Sequence, residues 1–235
     1  MYLLEKLQEG QVILIDKPLR WTSFQVVNKM RYTIQKKYHI KKIKIGHAGT
    51  LDPLATGLLI MCTGKFTKKI EEFQGLFKEY TGTFTLGKTT PSYDLETDFD
   101  GEFSYTHITE ELLNNTVSKF IGEIDQVPPV FSAIQKDGKR AYDSARKGKE
   151  LVLDSRKVMV YEFEITNIDL PNINFRIKCG KGTYIRSIAN DFGKALNTGA
   201  YLSSLRRTKI GQFEVENAKS LDVFLNEMGY QDKSN

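Results

Sequence analysis

The sequence predicts an α+β fold in which a mainly antiparallel mixed sheet is flanked by helices. Strand-like and helix-like segments follow one another without the strict alternation that is typical of parallel sheets. Residues 80–86 alternate between aromatic or apolar side chains and Thr or Gly, as in a half-buried strand. Residues 184–196 place apolar side chains on one stripe of a helix. At 235 residues the chain can bury a substantial core, and we expect a single domain over residues 1–235.

Local patterns predict the elements of the first half in order. Residues 11–15 are a strand candidate, and residues 58–62 are a buried strand, because this apolar run is too short for most helices. Residues 88–106 are predicted to be a polar loop. Between the strands, Thr22 or Ser23 caps a helix that has four apolar side chains on one face: Phe24, Val27, Met30 and Ile34.

The second half continues the mixed pattern. Thr109 is a predicted helix N-cap, followed by two glutamates that suit the positive end of the helix dipole. A basic helix around residues 141–147 precedes strands near residues 157–167 and 173–179. One more strand pair and a short helical extension over about residues 216–235 complete the chain.

Basic residues cluster near the most informative loops. A net charge of +5 is only suggestive of a polyanionic partner, and each cluster alone is more typical of a solvated surface. Three clusters together favour a surface for a phosphate backbone. They are Lys41, Lys42 and Lys44 with Lys65, Lys68 and Lys69; Lys136, Lys139, Arg140, Arg146, Lys147 and Lys149; and Arg206, Arg207 and Lys209.

Cysteine and histidine usage argues against a disulfide framework and a metal site. Cys62 and Cys179 lie in apolar strand-like runs and are predicted to be buried thiols in a reducing compartment. The three histidines lack metal-ligand spacing, so we expect neither a metal nor another cofactor. No apolar run approaches membrane-spanning length and no signal peptide is evident. We therefore expect a cytoplasmic protein without membrane association.

The segment Gly-His-Ala-Gly-Thr-Leu-Asp-Pro-Leu-Ala-Thr-Gly, residues 46–57, is the strongest candidate for chemistry. It places one carboxylate, Asp52, in an otherwise uncharged run of small residues just before the buried strand. Pro53 disfavours the α region for Asp52 and so favours an extended backbone. A loop at the mouth of a core strand can hold a reactive group rigidly. An Asp that only hydrogen-bonds its own turn is the common alternative for these residue types.

Arg186 is a candidate partner for a carboxylate. Residues 181–186 join a strand to a helix N-terminus, where a cation is disfavoured unless an acid compensates it. An arginine beside Asp52 would keep that carboxylate ionised and competent as a nucleophile or a base. A tyrosine face would stack on a base drawn out of a nucleic acid.

These segments together resemble the bacterial TruB family of tRNA pseudouridine synthases, which modify the T-loop uridine at tRNA position 55. The resemblance extends over about residues 10–215, and the Gly-Thr-Leu-Asp-Pro block is its most specific part. The matching segments are residues 16–18 with 22–23, 46–57 with 62–68, 78–80, 126–129 with 132–133, 181–186 and 205–207.

The resemblance implies a pseudouridine-synthase fold and three catalytic residues. Asp52 would attack or deprotonate the ribosyl uracil, so that the base detaches, rotates and rejoins through carbon 5. Arg186 would pair with Asp52. Tyr80 would stack on the flipped base and assist removal of the carbon 5 proton. The resemblance adds no metal and no cofactor to this chemistry.

The resemblance also implies residues that bind substrate or support the site. His47 would help to receive the rearranged T-loop, Tyr184 would pack beneath the reacting nucleotide, and Leu205 would line the uracil pocket. Lys17 and Pro18 are predicted to be structural residues near the site. The implied partner is the T-stem-loop of tRNA, and we expect a monomer with no protein partner.

Two departures from the family pattern are visible. Residues 216–235 are too few for the C-terminal PUA domain of many members, so we expect no full PUA domain. The loop after Tyr80 lacks the Thr-Asp-Thr pattern of many relatives. Three alternatives remain: a non-catalytic RNA-binding module or tRNA folding chaperone, a guide-RNA-dependent synthase, and a hydrolase with Asp52 as nucleophile. The last usually needs a second carboxylate, for which the sequence offers no candidate.

Overall fold

The computed structural model describes residues 2–132, 135–136, 139–140 and 153–230, and these fall into two units. Unit 1 comprises Met1–Tyr80 with Arg206–Asn235, and unit 2 comprises Thr81–Leu205. The helices are α1 (Leu4–Glu9), α2 (Ser23–Tyr38), α3 (Ile70–Gly75), α4 (Glu110–Val117), α5 (Ile185–Ala195) and α6 (Leu221–Glu227). The strands are β1 (Val12–Lys17), β2 (Ile45–His47), β3 (Ala55–Thr63), β4 (Lys78–Leu86), β5 (Lys88–Thr89), β6 (Gly101–Glu102), β7 (Gly122–Gln126), β8 (Gln135–Lys136), β9 (Lys139–Arg140), β10 (Arg156–Asp169), β11 (Asn172–Cys179), β12 (Ala200–Ile210), β13 (Phe213–Glu214) and β14 (Lys219–Ser220).

The sheet of unit 1 is built around β1 and β3. These strands are antiparallel, with Val12 opposite Cys62 and Lys17 opposite Gly57. β2 adds antiparallel to β3, whereas β14 pairs with β1 in parallel. The mixture of both strand directions confirms the predicted mixed sheet. Burial hardly alternates along β3, so this strand is covered on both faces and lies in the middle of unit 1. The apolar run in the sequence predicted such a buried strand.

Helices α2 and α6 cover one face of the unit 1 sheet. The apolar core there joins residues from α1, β1, α2, β3 and α6. Helix α2 begins with a capping box: the Thr22 hydroxyl accepts from the Gln25 N–H, and the Gln25 side chain accepts from the Thr22 N–H. This confirms the predicted start of the helix.

The predicted apolar face of α2 is wrong at one position. Val27, Met30 and Ile34 are buried, but Phe24 is 62% exposed. The buried face is centred between Ser23 and Met30, which places Phe24 roughly 110° around the helix axis from it. A pattern of apolar residues does not show which edge of a broad stripe meets the core.

The sheet of unit 2 is formed by β10, β11 and β7. β10 is antiparallel to both neighbours, with Val160 opposite Cys179 and also opposite Gly122. Aromatic rings fill the space between this sheet and α5: Phe84, Phe120, Phe163, Phe175 and Phe192 are in mutual contact. The apolar stripe predicted on α5, which includes Ile185, Ile188 and Phe192, is buried.

Other sequence predictions are confirmed in part. Thr109 caps α4 by accepting from the Leu112 N–H, and Cys62 and Cys179 are buried free thiols. The segment predicted as a polar loop, residues 88–106, contains the small strand pair β5–β6 and buried polar residues. β7 was not predicted from the sequence. The basic helix predicted around residues 141–147 lies outside the described residues.

No helix in the described part of the chain is long and apolar enough to cross a membrane. Across the same residues, no group of three or more His, Cys, Asp or Glu side chains is arranged to hold a metal ion.

Candidate active site

Asp52 lies in the loop between β2 and β3 of unit 1, and its side chain is partly exposed. The loop bends where the chain has Gly49 (φ 97°) and Gly57 (φ 104°), backbone angles that favour glycine. A Cβ atom added to Gly57 would collide with the backbone carbonyl of Arg207. The Asp52 carbonyl accepts the N–H of Ala55 at 3.1 Å, which closes a turn directly behind the acid. The loop is therefore shaped by its neighbours as well as by its own glycines.

Lys17 holds the loop from the end of β1. Its ammonium group is fully buried and donates to the carbonyls of Pro18 at 2.9 Å, Trp21 at 2.6 Å and Pro53 at 3.5 Å. Burial lowers the pKa of Lys17 to about 8, and attraction to the Asp52 carboxylate partly offsets this effect. The expected structural roles of Lys17 and Pro18 near the site fit these contacts.

Arg207 holds the same loop from β12. Its guanidinium is buried and donates to the carbonyls of Leu58 at 2.8 Å, Gly49 at 3.1 Å and Thr50 at 3.4 Å. It therefore fixes the chain both before and after Asp52. This role is not visible in the sequence, where Arg207 is only one of several clustered basic residues.

The third basic cluster was predicted to be part of a surface for phosphates, and this is wrong for Arg207, which is buried. Arg207 is buried, Arg206 pairs with Asp16 at 2.7 Å, and Lys209 pairs with Glu214 at 2.7 Å. Each of these cations therefore has a protein partner. Sequence clustering alone cannot distinguish a solvated lysine from a paired one.

The turn after β1 also contacts the loop. The Ser23 hydroxyl donates to the Leu51 carbonyl at 3.1 Å and accepts from the Leu51 N–H at 2.8 Å. The Arg20 N–H donates to the Pro53 carbonyl at 2.7 Å. The residues on both sides of Asp52 are thus hydrogen-bonded to residues 20–23.

His47 and Tyr80 are the other predicted site residues in unit 1. His47 ends β2, and its burial together with the Arg207 guanidinium lowers the pKa of its imidazole. The lowered pKa favours the neutral ring. Tyr80 lies in β4 and is largely buried.

Arg186 lies in the first turn of α5 in unit 2 and is buried. Its guanidinium donates to the carbonyls of Ser92 at 3.1 Å and Phe131 at 2.9 Å, and its Nε lies 3.6 Å from a carboxylate oxygen of Asp94. A carboxylate partner for Arg186, predicted from the helix dipole, is thus present in Asp94. Pairing of Arg186 with Asp52 stays a prediction.

Asp94 was not recognised as a functional candidate from the sequence. Its segment is folded by short polar contacts: the Thr90 and Ser92 hydroxyls both donate to the Asp94 carbonyl, at 2.7 and 3.1 Å. One Asp94 carboxylate oxygen accepts the Glu96 N–H at 3.0 Å. Because the surrounding residues are polar, only a prediction of spatial contact with Arg186 could have revealed the role of Asp94.

Tyr184 precedes α5 and is fixed by Gln126. The Tyr184 N–H donates to Gln126 Oε1 at 2.7 Å, and Gln126 Nε2 donates to the Tyr184 carbonyl at 3.1 Å. The Arg156 guanidinium lies 5.0 Å from the centre of the Tyr184 ring. Leu205, the last residue of unit 2, lies in β12 and is partly exposed.

A basic cavity of about 380 Å³ lies in unit 1. It brings together the lysines that flank the Asp52 loop on both sides in sequence. Its lining comprises Gln8, Lys42, Ile43, Lys44, Gly64, Lys65, Thr67 and Lys68. Four of the eight lining residues are lysines, which fits the expectation of a phosphate-binding surface for the first basic cluster.

The predicted site residues are divided between the two units. Unit 1 contains His47, Asp52 and Tyr80 with the supporting residues Lys17 and Pro18. Unit 2 contains the remaining three: Tyr184, Arg186 and Leu205. Within unit 1, hydrogen bonds from the Lys17 ammonium connect Pro18 and the Asp52 loop. Within unit 2, Tyr184 and Arg186 are fixed at the start of the same helix.

Comparisons with known proteins cover nearly the whole chain. Residues 35–185 match the TruB family pseudouridylate synthase (N terminal domain), and residues 186–234 match the tRNA pseudouridylate synthase B C-terminal domain. The tRNA pseudouridine synthase B of Flavobacterium johnsoniae is 62% identical over 221 residues, covering 94% of this chain and 96% of that protein. The protein of the same name in Phocaeicola vulgatus is 54% identical over 217 residues, covering 92% of each.

Solved structures give a consistent result. A chain in a crystal structure of a Cbf5–Nop10–Gar1 complex matches with a TM-score of 0.69 and 30% identity over 96% of this chain. The present chain spans 58% of the length of that matched chain. The predicted fold and family are confirmed: the chain belongs to the TruB family of tRNA pseudouridylate synthases, which are isomerases.

Proposed function

We propose that this protein converts uridine 55 in the T-loop of tRNA to pseudouridine. The observation that carries the proposal is the Asp52 loop, whose backbone is held on both sides while the carboxylate stays partly exposed. A rigid acid that solvent can reach is what a reaction on a flipped nucleotide requires. The similarity to tRNA pseudouridine synthase B proteins over most of the chain supports the choice of substrate.

The proposed reaction breaks one bond to the ribose and forms another. The bond between uracil N1 and ribose C1′ breaks, the base rotates, and a bond forms between C5 and C1′. The C5 proton leaves and N1 gains a proton, so the product is an isomer. Asp52 starts the reaction by attacking the sugar or removing a ribose proton, and Arg186 pairs with it. Tyr80 stacks on the base and assists removal of the C5 proton.

The remaining predicted residues bind the RNA in this proposal. His47, kept neutral by burial and by Arg207, receives the rearranged T-loop. Tyr184 packs beneath the reacting nucleotide and Leu205 lines the uracil pocket. The lysines of the basic cavity contact backbone phosphates, which gives affinity without base specificity.

Tritium release from tRNA labelled at uridine C5 tests the activity. The wild-type protein should release one tritium per molecule of unmodified tRNA, without any guide RNA or added cofactor. Asp52→Asn should bind tRNA and unfold like the wild type but release no tritium. Asp169→Asn, which changes an exposed acid at the end of β10, is the matched control and should remain active.

Two further results would contradict the proposal. Retained turnover by Asp52→Asn would remove Asp52 from the chemistry. Release from a tRNA in which uridine 55 is replaced by cytidine would show that another uridine is the target. A wild-type protein that binds tRNA but releases no tritium would favour the non-catalytic RNA-binding alternative, and activity that requires a guide RNA would favour the guide-dependent one.

A further inference from the structure

Two large apolar side chains are exposed on the turn that follows β1. Leu19 is 53% exposed and Phe24 is 62% exposed. Phe24 lies in the first turn of α2, on a face directed away from the core residues Val27 and Met30. An isolated apolar side chain on a surface is ordinary, but two on one short turn with an arginine between them are not explained by packing.

The backbone between them has an unfavourable conformation. Arg20 has a φ of 65°, in the left-handed region that non-glycine residues rarely adopt. Such a conformation persists where surrounding contacts determine it, and it is found most often at functional sites. Among the described residues, the Arg20 guanidinium has no carboxylate partner, and its side chain is exposed.

The same turn is fixed to the Asp52 loop. The Arg20 N–H and the Lys17 ammonium both donate to the Pro53 carbonyl, and Ser23 exchanges two hydrogen bonds with Leu51. The positions of Leu19, Arg20 and Phe24 relative to Asp52 are therefore set by hydrogen bonds to its two sequence neighbours. The turn that carries these side chains is thus hydrogen-bonded to both sequence neighbours of the acid.

We propose that Leu19, Arg20 and Phe24 form an RNA-contacting ledge next to the Asp52 loop. The Phe24 ring stacks on an unpaired base of the substrate RNA, Leu19 packs against the edge of that base, and Arg20 binds a neighbouring phosphate. This inference rests on the proposed function, because it assumes an RNA substrate at Asp52.

RNA suits this combination better than a protein partner does. Stacking on an aromatic ring is the common way to bind an unpaired base of any sequence. The unpaired guanidinium of Arg20, four residues before Phe24, supplies the charge that a phosphate needs. A base driven out of its stack during flipping leaves neighbouring bases exposed, and an apolar ledge held beside the acid can cover one of them.

Affinity for a T-stem-loop RNA, measured over a range of salt concentrations, tests the ledge. Phe24→Ala should weaken binding about 5- to 150-fold, the loss typical of one stacked base, with the salt dependence unchanged. Arg20→Gly removes the guanidinium while accepting the backbone angle, so it should fold normally and lower the salt slope by about one phosphate contact. Phe24→Leu keeps apolar bulk without a ring and should bind as weakly as Phe24→Ala.

Tyr32→Ala is the matched control, because Tyr32 is 53% exposed on the same helix about 12 Å further along. It should bind RNA like the wild type. Unchanged affinity of Phe24→Ala, or an equal loss in Tyr32→Ala, would overturn the ledge. These binding results are independent of tritium release, so a wild-type protein that binds RNA without releasing tritium would contradict the proposed function and leave the ledge intact.

Discussion

The buried lysine beside the Asp52 loop should make folding stability depend on pH in the alkaline range. Lys17 is fully buried, and its pKa is lowered from the ordinary value of 10.5 to about 8. Between these two values the unfolded chain binds a proton at this position and the folded chain does not. Stability therefore rises as the pH increases through this window.

The size of the effect follows from the pKa difference. A shift of 10.5 minus about 8, roughly 2.5 units at about 1.4 kcal/mol per unit, corresponds to about 3 kcal/mol. Most of it, about 2–3 kcal/mol, should appear between about pH 7 and pH 10. Attraction to Asp52 is already included in the pKa of about 8, so the dominant cause is the burial of the ammonium group.

Urea unfolding at a series of pH values measures this contribution. Other lysines and tyrosines also titrate there, so the quantity of interest is the difference in unfolding free energy between wild type and Lys17→Met. That difference should shift in favour of the wild type by about 2–3 kcal/mol as the pH rises. Lys17→Arg, which stays charged throughout, should lack the rise as well. A difference that does not change with pH would refute the reasoning.

The other predictions concern the residues around both halves of the proposed site. Arg186→Lys should reduce turnover severely, because an ammonium group cannot replace the guanidinium contacts to two carbonyls, and single-turnover tritium release would measure it. Asp94→Asn should lower turnover about 10- to 100-fold by loosening Arg186, with tRNA affinity largely unchanged. Gly57→Ala should destabilise the fold by about 2–4 kcal/mol in urea, because a Cβ meets the Arg207 backbone at a positive φ. Each neutralised lysine of the basic cavity, for example Lys65→Gln, should lower the salt slope of tRNA binding by about one.

Controls for these variants are available in the same chain. Gly75→Ala places a Cβ where nothing lies within 4 Å, so it should not destabilise the fold. Arg176→Lys changes a partly exposed arginine that pairs with two glutamates, and normal turnover is expected. Normal turnover in Arg186→Lys would remove Arg186 from the catalytic pairing, and a salt slope unaffected by Lys65→Gln would exclude that lysine from phosphate binding.

Local sequence patterns predicted most of the elements because each depends on nearby residues. The capping box at Thr22 and Gln25, the apolar run that becomes β3 and the stripe on α5 all involve contacts within a few positions. The Asp52 loop was also recognisable, since glycines and a proline restrict its backbone. The family follows from several such segments in the right order.

Long-range contacts were not predictable in the same way. Arg207 reaches carbonyls about 150 positions earlier in the chain, and Arg186 reaches Asp94, 92 positions earlier. From the sequence alone, Arg207 cannot be distinguished from a surface arginine. Asp94 likewise cannot be distinguished from an ordinary aspartate in a loop. Phe24 was misplaced for the same reason, because the side of α2 that is covered depends on residues from the C-terminal part of unit 1.

The two cations that hold the Asp52 loop are anchored by carbonyl oxygens, which has an electrical consequence. A peptide carbonyl is a dipole, so it orients a lysine or an arginine without cancelling its charge as a carboxylate would. Arg207 therefore still projects a positive potential into its surroundings, whereas the charge of Lys17 is partly offset by the Asp52 carboxylate. A polyanion that approaches the loop is attracted before contact is made. The association rate of the polyanion and the protein should therefore increase most at low ionic strength.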